Sequence, residues 1–351
     1  MMINSKQGNV NMRKWIRLVL GAAVITLALP AHAQGALEKT KVHIAVGGKA
    51  AFYYLPLTIA EQLGYFKAEG LDITISDFAG GSQALRAVVG GSADVVSGAY
   101  EHTINMQAKN QILQCFALMG RAPQLSMGIA TAKAAAYKSG KDLKGMKIGV
   151  SAPGSSTNML VNQILAKDGL KPTDVSIVGV GTGAGAIAAM KSGQIDAISN
   201  TDPVMTKLEQ DGAVRIIADT RTLKGTEQVF GGPMPAACLY APIVYVRNNP
   251  NTAQALTNAI VRADKWLQHA SPQDILTTVP ESYLLGDKAL YLFAYSKVKE
   301  AFSPDGFIPD AGPRTTLKVM PGINPEIKPN EIKLELTYTN EFVKKANAKY
   351  K

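Results

Sequence analysis

Two stretches of this chain share one order of strand, helix and glycine patterns, and this internal repeat limits the folds that the chain can adopt. Residues 42–97 and 146–199 each contain a strand-like run, a helical run, a Gly-Leu pair, a second strand, a glycine-rich turn, a second helix and a third strand. Three positions recur at the same spacing in both copies: Gly91, Asp94 and Ser97, then Gly193, Asp196 and Ser199. Repeated strand–helix–strand units predict an α/β protein with two lobes and mainly parallel sheets.

The C-terminal region lacks a third copy of the repeat. A Gly/Pro-rich stretch at 231–235 leads into a strand-like run at 239–246. Four helical patterns follow, at 252–269, 274–278, 287–301 and 330–348. We therefore expect this region to return to the first lobe and pack against it.

This return defines the expected domain organisation. Lobe 1 would comprise residues 36–124 and 236–351, and lobe 2 would comprise residues 125–235. The chain would cross between the lobes near 121–128 and again near 228–238. Two crossing segments form a hinge that permits opening and closing of a cleft.

The N-terminus has the three parts of a secretory signal peptide. Basic residues Arg13, Lys14 and Arg17 precede an apolar run at 18–29, and the small-residue pattern Ala31-His32-Ala33 follows. This order predicts a signal peptide over residues 1–33 with cleavage after Ala33. The apolar run is shorter than the ~20 residues that span a bilayer. We therefore expect the mature protein in the periplasm, with translation starting at Met1 or at Met12.

Composition agrees with a compact soluble protein after export. The chain has 351 residues, of which 46% are hydrophobic and 18% charged, and this length favours two domains. The formal net charge is +10, but four basic residues lie in the predicted signal peptide: Lys6, Arg13, Lys14 and Arg17. The other basic residues are scattered, so no nucleic-acid surface is indicated.

Motifs for catalysis, metals and cofactors are missing from the sequence. The chain has no GxSxG, HExxH or GxxxxGK[ST] sequence, and His102 is the histidine nearest a predicted ligand loop. Cys115 and Cys238 could pair in an oxidising compartment or remain buried thiols, and neither belongs to a CxxC motif. We expect a binding protein without a cofactor or a metal rather than an enzyme.

Ligands of open α/β sheets bind at the loops that follow the carboxyl ends of the strands. In this chain, three of these loops lead directly into a helix. Ser155, Ser156 and Thr157 join a predicted strand to a predicted helix, so hydroxyls and helix N-terminal amides could face one acidic ligand group. Gly81-Ser82 and Thr182 repeat this arrangement at two other helix starts. The alternative is that these residues are ordinary helix N-caps.

Other loop residues offer different chemistry. Phe52, Tyr53 and Tyr100 could provide flat surfaces for a ligand or could pack in the core, and for Tyr54 we expect the core. Lys49 could pair with an anion or remain solvated. The acidic residues Glu101 and Asp202 occupy corresponding places after the third strand of each unit. They could bind a ligand amine or hydroxyl, cap a helix or bridge the lobes.

Four segments carry a family resemblance: 51–71, 90–95, 142–150 and 192–197. In combination, these segments resemble the nitrate/sulfonate/taurine-type (NMT1/THI5-like) periplasmic binding proteins of ABC importers. The resemblance implies a type II periplasmic binding protein fold, a monomer that closes around one small ligand, and delivery to the permease of an ABC importer. It also implies ligand-binding residues at these positions: Phe52, Tyr53, Gly81, Ser82, Tyr100, Ser155, Ser156, Thr157, Thr182 and Asn200.

The aromatic first loop favours an organic anion over a bare inorganic one as the ligand. Two alternatives remain open. The family resembles thiamine-pyrimidine synthases, which are enzymes of the same fold with a cysteine-rich iron motif, although this chain has no cysteine cluster. The protein could also bind a ligand on behalf of a membrane sensor instead of an importer.

Overall fold

A computed structural model describes residues 35–351, which contain two five-stranded sheets. The predicted signal peptide lies outside the described residues. The first sheet consists of β1 Lys41–Gly47, β2 Asp72–Phe78, β3 Val95–Ala99, β4 Leu113–Leu118 and β10 Ala237–Pro242. The second consists of β5 Leu125–Ala130, β6 Lys147–Val150, β7 Ser176–Gly179, β8 Ala197–Thr201 and β9 Val214–Asp219.

Helices connect these strands and follow them in the C-terminal region. The helices before β10 are α1 Leu55–Gln62, α2 Tyr65–Ala68, α3 Gly81–Val89, α4 Glu101–Gln107, α5 Thr131–Ala134, α6 Ser156–Lys167, α7 Ala184–Lys191, α8 Val204–Gln210 and α9 Leu223–Phe230. Those after β10 are α10 Ile243–Asn248, α11 Pro250–His269, α12 Pro272–Thr278, α13 Lys288–Val298, α14 Ala311–Ile323 and α15 Glu341–Lys349. No helix in residues 35–351 is both long enough and apolar enough to cross a membrane.

The two sheets have the same topology, as the internal repeat predicts. Their strand orders are β2-β1-β3-β10-β4 and β7-β6-β8-β5-β9. In each sheet, three neighbouring strands from the repeat are parallel, and one strand runs antiparallel to both of its neighbours. The prediction of an α/β fold with mainly parallel sheets is confirmed, and the single antiparallel strand makes each sheet mixed.

The antiparallel strands come directly after the places where the chain passes from one sheet to the other. β5 follows the passage from β4, and β10 follows the return from the second sheet. The two connecting segments are bonded to each other, since Gly120 N donates to the Ala237 carbonyl at 3.0 Å and Ala236 N donates to the Gly120 carbonyl at 2.9 Å. The segments therefore form one paired connection between the sheets.

The central strands are apolar because both of their faces are covered by helices. β3 is buried along its whole length, and Ile44, Val46 and Ile148 in neighbouring strands are fully buried. Parallel pairing aligns the carboxyl ends of β1, β2 and β3, and likewise those of β6, β7 and β8. The loops at these ends are therefore brought to one edge of each sheet.

The C-terminal region differs most from the predicted pattern. The strand-like run at 239–246 ends at Pro242, and α10 begins there. α14 was not predicted, because Gly312, Pro313 and Pro321 interrupt its helical pattern. The predicted helix at 330–348 was too long, since two short 3-10 turns occupy its start and α15 begins only at Glu341.

This region also contacts both halves of the molecule. α11 packs against α1, α2 and α15 beside the first sheet. α13 contacts α8, and α14 packs against both α6 and α4. The C-terminal region therefore covers the first sheet and also reaches helices that flank the second.

Candidate functional site

A small cavity lies between the two sheets at the carboxyl ends of their parallel strands. Its volume is about 20 Å³, which holds roughly one water molecule. The residues around it are uncharged: Gly47, Ala51, Tyr53, Tyr54, Gly81, Leu125, Ser151, Ser155, Ser156, Thr157, Thr182 and Thr201. The wall therefore consists of hydroxyl groups, backbone and two tyrosine rings.

The start of α6 supplies the donors of this cavity. Ser155 is the N-cap residue, but its side chain does not cap its own helix. Its Oγ instead accepts from Ser82 N at 3.0 Å. The backbone amides of Ser156 and Thr157 have no hydrogen-bond acceptor among residues 35–351. These amides lie at the positive end of the helix dipole, which is where an anion binds favourably.

At these three helix starts, the side-chain hydroxyls are not helix N-caps, which was the alternative interpretation of the sequence. The N-cap residues of α3 and α7 are Gly80 and Gly183, without side-chain caps. Ser82 Oγ donates to the Pro153 carbonyl at 2.9 Å, and Thr157 Oγ1 accepts from Ser151 N at 3.0 Å. The hydroxyls thus organise the loops around the cavity instead of capping their own helices.

The two halves of the molecule touch directly around the cavity. Phe52 N donates to the Asp202 carbonyl at 3.0 Å, which joins the loop after β1 to the loop after β8. Gly48, at φ +96°, lies so near Thr182 that a Cβ at this position would be 2.2 Å from the threonine Oγ1. The cleft is therefore closed, and its small volume follows from these contacts.

Tyr53 and Tyr54 form the aromatic part of the wall. Their ring centroids are 4.9 Å apart in an edge-to-face arrangement, and both residues are buried. Burial raises the pKa of both hydroxyl groups, and the nearby Glu101 raises it further. We expected Tyr54 in the core; it is buried, but its ring also forms part of the cavity wall.

A cluster of buried polar residues lies behind these tyrosines. Glu101 is 2% exposed, and its Oε1 has no hydrogen-bond partner among the described residues. His102 Nδ1 is 2.8 Å from the Tyr240 hydroxyl. Burial lowers the pKa of His102, while Glu101 and the Gly154 carbonyl act in the opposite direction. The cluster therefore contains a carboxyl group to which no cation of residues 35–351 is bonded.

Several residues proposed from the sequence have other roles in this closed form. Phe52 packs in the core, where its ring centroid is 4.5 Å from that of Tyr291. Tyr100 is also fully buried away from the cavity, and its hydroxyl lies 2.6 Å from Thr337 Oγ1. Lys49 forms an ion pair with Glu61 on α1 at 2.5 Å. These three side chains are not part of the cavity wall.

The side chains of Asn200 and Asp202 form hydrogen bonds next to the cavity. Asn200 Nδ2 donates to the Gly181 carbonyl at 2.9 Å and so fixes the loop that carries Thr182. The Asp202 carboxylate accepts from Thr206 N at 2.7 Å and lies 3.5 Å from the Arg221 guanidinium. Burial raises the pKa of Asp202, and Arg221 acts in the opposite direction. Neither side chain lines the cavity.

Other wall residues were not singled out in the sequence. Ser151 and Thr201 lie in loops that the rule for strand ends does select, but neither was among the predicted ligand-binding residues. Leu125 is the first residue of β5, and no sequence pattern marks it as a cavity residue.

The two cysteines are free thiols in adjacent strands. Cys115 lies in β4 and Cys238 in β10, and both are fully buried. Burial raises the pKa of the Cys238 thiol, and Cys115 raises it further. Of the two alternatives from the sequence, this structure shows the buried thiols.

The chain is similar to known proteins in both sequence and fold. Residues 35–279 match the family described as the NMT1-like family. The chain belongs to this family. A *Bordetella bronchiseptica* protein of solved structure is 60% identical to this NMT1-like chain, with a TM-score of 0.88 over 90% of this chain and 99% of that one.

Curated relatives of this NMT1-like protein include binding proteins. A putative binding protein of *Bacillus subtilis*, YtlA, is 25% identical over 84% of this chain and 87% of its own length. A putative aliphatic sulfonates-binding protein of *Escherichia coli* is 28% identical over 64% of this chain and 69% of its own length. The *Xanthomonas axonopodis* alkanesulfonate-binding protein SsuA, solved with MOPS bound, shares the fold at 20% identity, with a TM-score of 0.64 over 87% of this chain and all of that one. The periplasmic binding protein fold is thereby confirmed.

An enzyme also occurs among the relatives. A 4-amino-5-hydroxymethyl-2-methylpyrimidine phosphate synthase of *Schizosaccharomyces pombe* is 25% identical over 46% of this chain and 44% of its own length. Relatives of this chain thus include proteins named as binding proteins and a protein named as a synthase.

Proposed function

We propose that this protein is an extracytoplasmic receptor that captures a small organic anion between its two lobes and delivers it to an ABC importer. The observation that carries the proposal is the start of α6, where Ser156 and Thr157 line the cleft cavity and their amides have no acceptor among residues 35–351. Amides at a helix N-terminus bind carboxylate, sulfonate or similar groups. The wall has no charged side chain, so amides and hydroxyls would bind the anion.

Capture would proceed by closure of the lobes. A cavity of about 20 Å³ is too small to hold an organic solute, so the solute would enter when the cleft is open and would hold the closed lobes further apart than in this structure. The paired segments around Gly120 and Ala236 would act as the hinge. Closure would then bring Tyr53 and Gly81 of the first lobe against Ser156 and Thr182 of the second, with the solute between them.

Two further features support the proposal. Relatives are named as binding proteins, and one is named for aliphatic sulfonates. The tyrosine rings provide apolar surface next to the anion-binding amides, which fits a ligand with an organic body better than a bare inorganic ion. The predicted signal peptide would place the receptor in the periplasm.

Removing one amide from α6 tests the anion site. Ser156→Pro deletes the N–H at the first helical position, where proline is compatible with the helix. Ser156→Ala deletes only the hydroxyl and serves as the matched control. Because hydrogen bonds to charged groups contribute about 1.5–3 kcal/mol, we expect the proline variant to bind its anion roughly 10- to 100-fold more weakly.

Calorimetry with a panel of sulfonates, aromatic carboxylates and nitrate would measure these affinities. A ligand at 100 times its Kd should add about 2.7 kcal/mol to the unfolding free energy, so a thermal-shift screen would find it first. Equal affinities of the proline variant and the wild-type protein would remove α6 from the site. No binding by any anion in the panel would contradict the proposed function.

The synthase relative gives a second candidate, an enzyme of pyrimidine-precursor synthesis. Mass spectrometry of the bound compound before and after a long incubation distinguishes the receptor from the enzyme. A receptor returns its ligand unchanged, whereas an enzyme converts it.

A further inference from the structure

A larger space lies next to the small cavity at the start of α6. It is a groove of about 400 Å³, whereas the cavity has about 20 Å³. Helices α3, α4, α6 and α14 contribute residues to its lining, so both halves of the molecule form it. Sites for small organic molecules have volumes of roughly 300–1,000 Å³. The groove has the volume of such a site, and the cavity does not.

A single layer of residues separates the groove from the cavity. Ser155 lines both spaces. Gly81 lines the cavity and His102 lines the groove, and a Cβ at Gly81 would be only 3.4 Å from His102 Cε1. A group bound at the start of α6 is therefore one residue away from the groove.

Hydrogen bonds between the two halves hold this layer together. Ser82 N donates to Ser155 Oγ at 3.0 Å, and Ser155 Oγ donates to Ser82 Oγ at 3.2 Å. Ser82 Oγ in turn donates to the Pro153 carbonyl at 2.9 Å. Because these bonds cross the cleft, a solute that holds the lobes further apart breaks them and joins the two spaces. The freed Ser82 amide and the two hydroxyls can then bond to the solute.

Carboxamide groups in the groove have donors to offer to a ligand. Asn324 Nδ2 donates to Asn105 Oδ1 at 3.2 Å, and Asn158 Nδ2 donates to Asn162 Oδ1 at 3.3 Å. These bonds use the oxygens of Asn105 and Asn162 and leave their Nδ2 groups without an acceptor in the described part of the chain. Two amide donors, one on α4 and one on α6, are thus available for a carbonyl oxygen.

The rest of the groove is mainly uncharged. Burial lowers the pKa of His102, so its imidazole is neutral at pH 7. Lys109 carries a charge but is exposed. Flexible thioether side chains, which adapt to ligands of irregular shape, supply apolar surface: Met106, Met159 and Met320. This lining suits an uncharged organic body that carries a hydrogen-bond acceptor.

We propose that the solute spans both spaces, with its anionic group at the start of α6 and an uncharged, carbonyl-bearing body in the groove. This inference rests on the proposed function, because it takes the amides of Ser156 and Thr157 as the anion site. It narrows the ligand from organic anions in general to elongated anions with a carbonyl acceptor, such as an amide, at the far end. The carbonyl oxygen accepts from Asn105 and Asn162, and the apolar part of the body packs against the methionines.

Two series of three ligands test this assignment. The first consists of benzoate, 4-isobutylbenzoate and 4-acetamidobenzoate, and the second of butanoate, 6-methylheptanoate and 4-acetamidobutanoate. Within each series, the second and third members have the same length and shape, but only the third has an amide. Because each neutral hydrogen bond adds about 0.5–1.5 kcal/mol, calorimetry on the wild-type protein should show about tenfold tighter binding of the amide member in at least one series.

Asn162→Leu removes one of the two donors while it retains the approximate size of the side chain. We expect this variant to bind the amide and hydrocarbon members of a series within about threefold of each other. Asn248→Leu is the matched control, because Asn248 is an exposed asparagine at the end of α10, outside the groove lining. This control should keep the wild-type preference for the amide.

The outcomes separate the inference from the proposed function. Binding of benzoate or butanoate as tightly as the amide members would overturn the inference, and so would equal binding of the hydrocarbon members. In both cases the receptor function would stand. An unchanged amide preference in Asn162→Leu would remove the groove from the site. Absence of binding by every anion would overturn both proposals. If Asn162→Leu does not fold, the wild-type comparison alone decides.

Discussion

Asp264 shows how a single buried carboxyl group affects the stability of this protein. The residue is fully buried in α11, and neither of its carboxyl oxygens has a hydrogen-bond partner in the described part of the chain. Burial raises its pKa well above the usual value, with a smaller contribution from Asp305. The folded protein therefore holds a proton that the unfolded chain releases above its own pKa of about 3.9.

Asp264→Asn should therefore stabilise the protein at neutral pH. For an acid with a raised pKa in the folded state, stability is fully present below the unfolded pKa and falls as the pH rises above it. The asparagine variant lacks this loss, so its advantage should grow as the pH increases from about 4 to 7. Urea unfolding at several pH values measures the difference, and an advantage that is independent of pH would contradict the assigned cause.

The sequence predicted loop positions better than it predicted the roles of side chains. Strand ends directed attention to Tyr53, Gly81 and Thr182, all of which line the cavity. Phe52 could not be distinguished from its neighbour Tyr53, because its packing partner Tyr291 lies far away in the chain. Lys49 likewise has its carboxylate partner on the following helix, which a loop pattern cannot show. Side-chain partners that are distant in sequence leave no local signal.

At the scale of elements, α13 and α8 form an ionic contact between the two halves. Lys297 Nζ on α13 is 2.7 Å from Glu209 Oε2 on α8, and Glu209 also lies 3.3 Å from Arg221. The α13 end of this contact is attached to the first half, because Tyr291 and Tyr295 pack against Phe52. The ion pair should therefore form when the cleft closes.

Lys297→Met should weaken the closed state slightly and so lower ligand affinity. Both side chains are partly exposed, which limits such a pair to about 0.2–1 kcal/mol and the loss of affinity to roughly fivefold at most. High salt should reduce the difference from the wild-type protein. Lys288→Met is a matched control on the same helix, because Lys288 pairs only loosely with Glu281, at 3.9 Å. A similar loss in both variants would argue against the contact.

Helices with regular patterns were predicted, whereas those containing glycine and proline were not. α11 follows the pattern at 252–269 closely and begins at Pro250. α14 was not predicted, because it contains prolines. The helix forms nevertheless, since these prolines lie in the first turn and near the last turn, where fewer helical hydrogen bonds are lost. Its packing against α6 stabilises a helix that its own sequence does not favour.

At the scale of the whole molecule, closure depends on glycines where the halves meet. Gly80 has an extended backbone, at φ −168°, so other residues can adopt its conformation. A Cβ at this position would nevertheless be 2.7 Å from Ala152 Cβ and 2.9 Å from Ser155 Oγ, across the cleft. A larger side chain here would obstruct the closed form without straining its own backbone.

Gly80→Val should therefore hold the cleft open. We expect small-angle X-ray scattering to give a larger radius of gyration than for the wild-type protein, with no decrease when ligand is added, and we expect ligand affinity to be lost. Gly183→Val is the control, because Gly183 is also an extended N-cap residue but has open space around it. A Gly80 variant that still contracts with ligand would contradict this account of closure.

The overall architecture was the most predictable level. The repeated order of strands, helices and glycines predicted two sheets of equal topology, and both sheets have it. The antiparallel strands β5 and β10 could not be assigned from this repeat, because they lie outside its two copies. Their placement depends on which sheet edge remains free after the repeat strands have paired.

The position of β10 in the first sheet also determines the order in which the molecule can fold. β4 lies at the end of the first sheet, and the strand paired with it in residues 35–351 is β10, which is synthesised after the entire second sheet. A growing chain that has not reached Ala237 leaves β3 and β4 as unpaired edges, which are prone to aggregation. Pairing across such a sequence separation slows folding. The nascent chain should therefore need protection by a chaperone until its second sheet is complete.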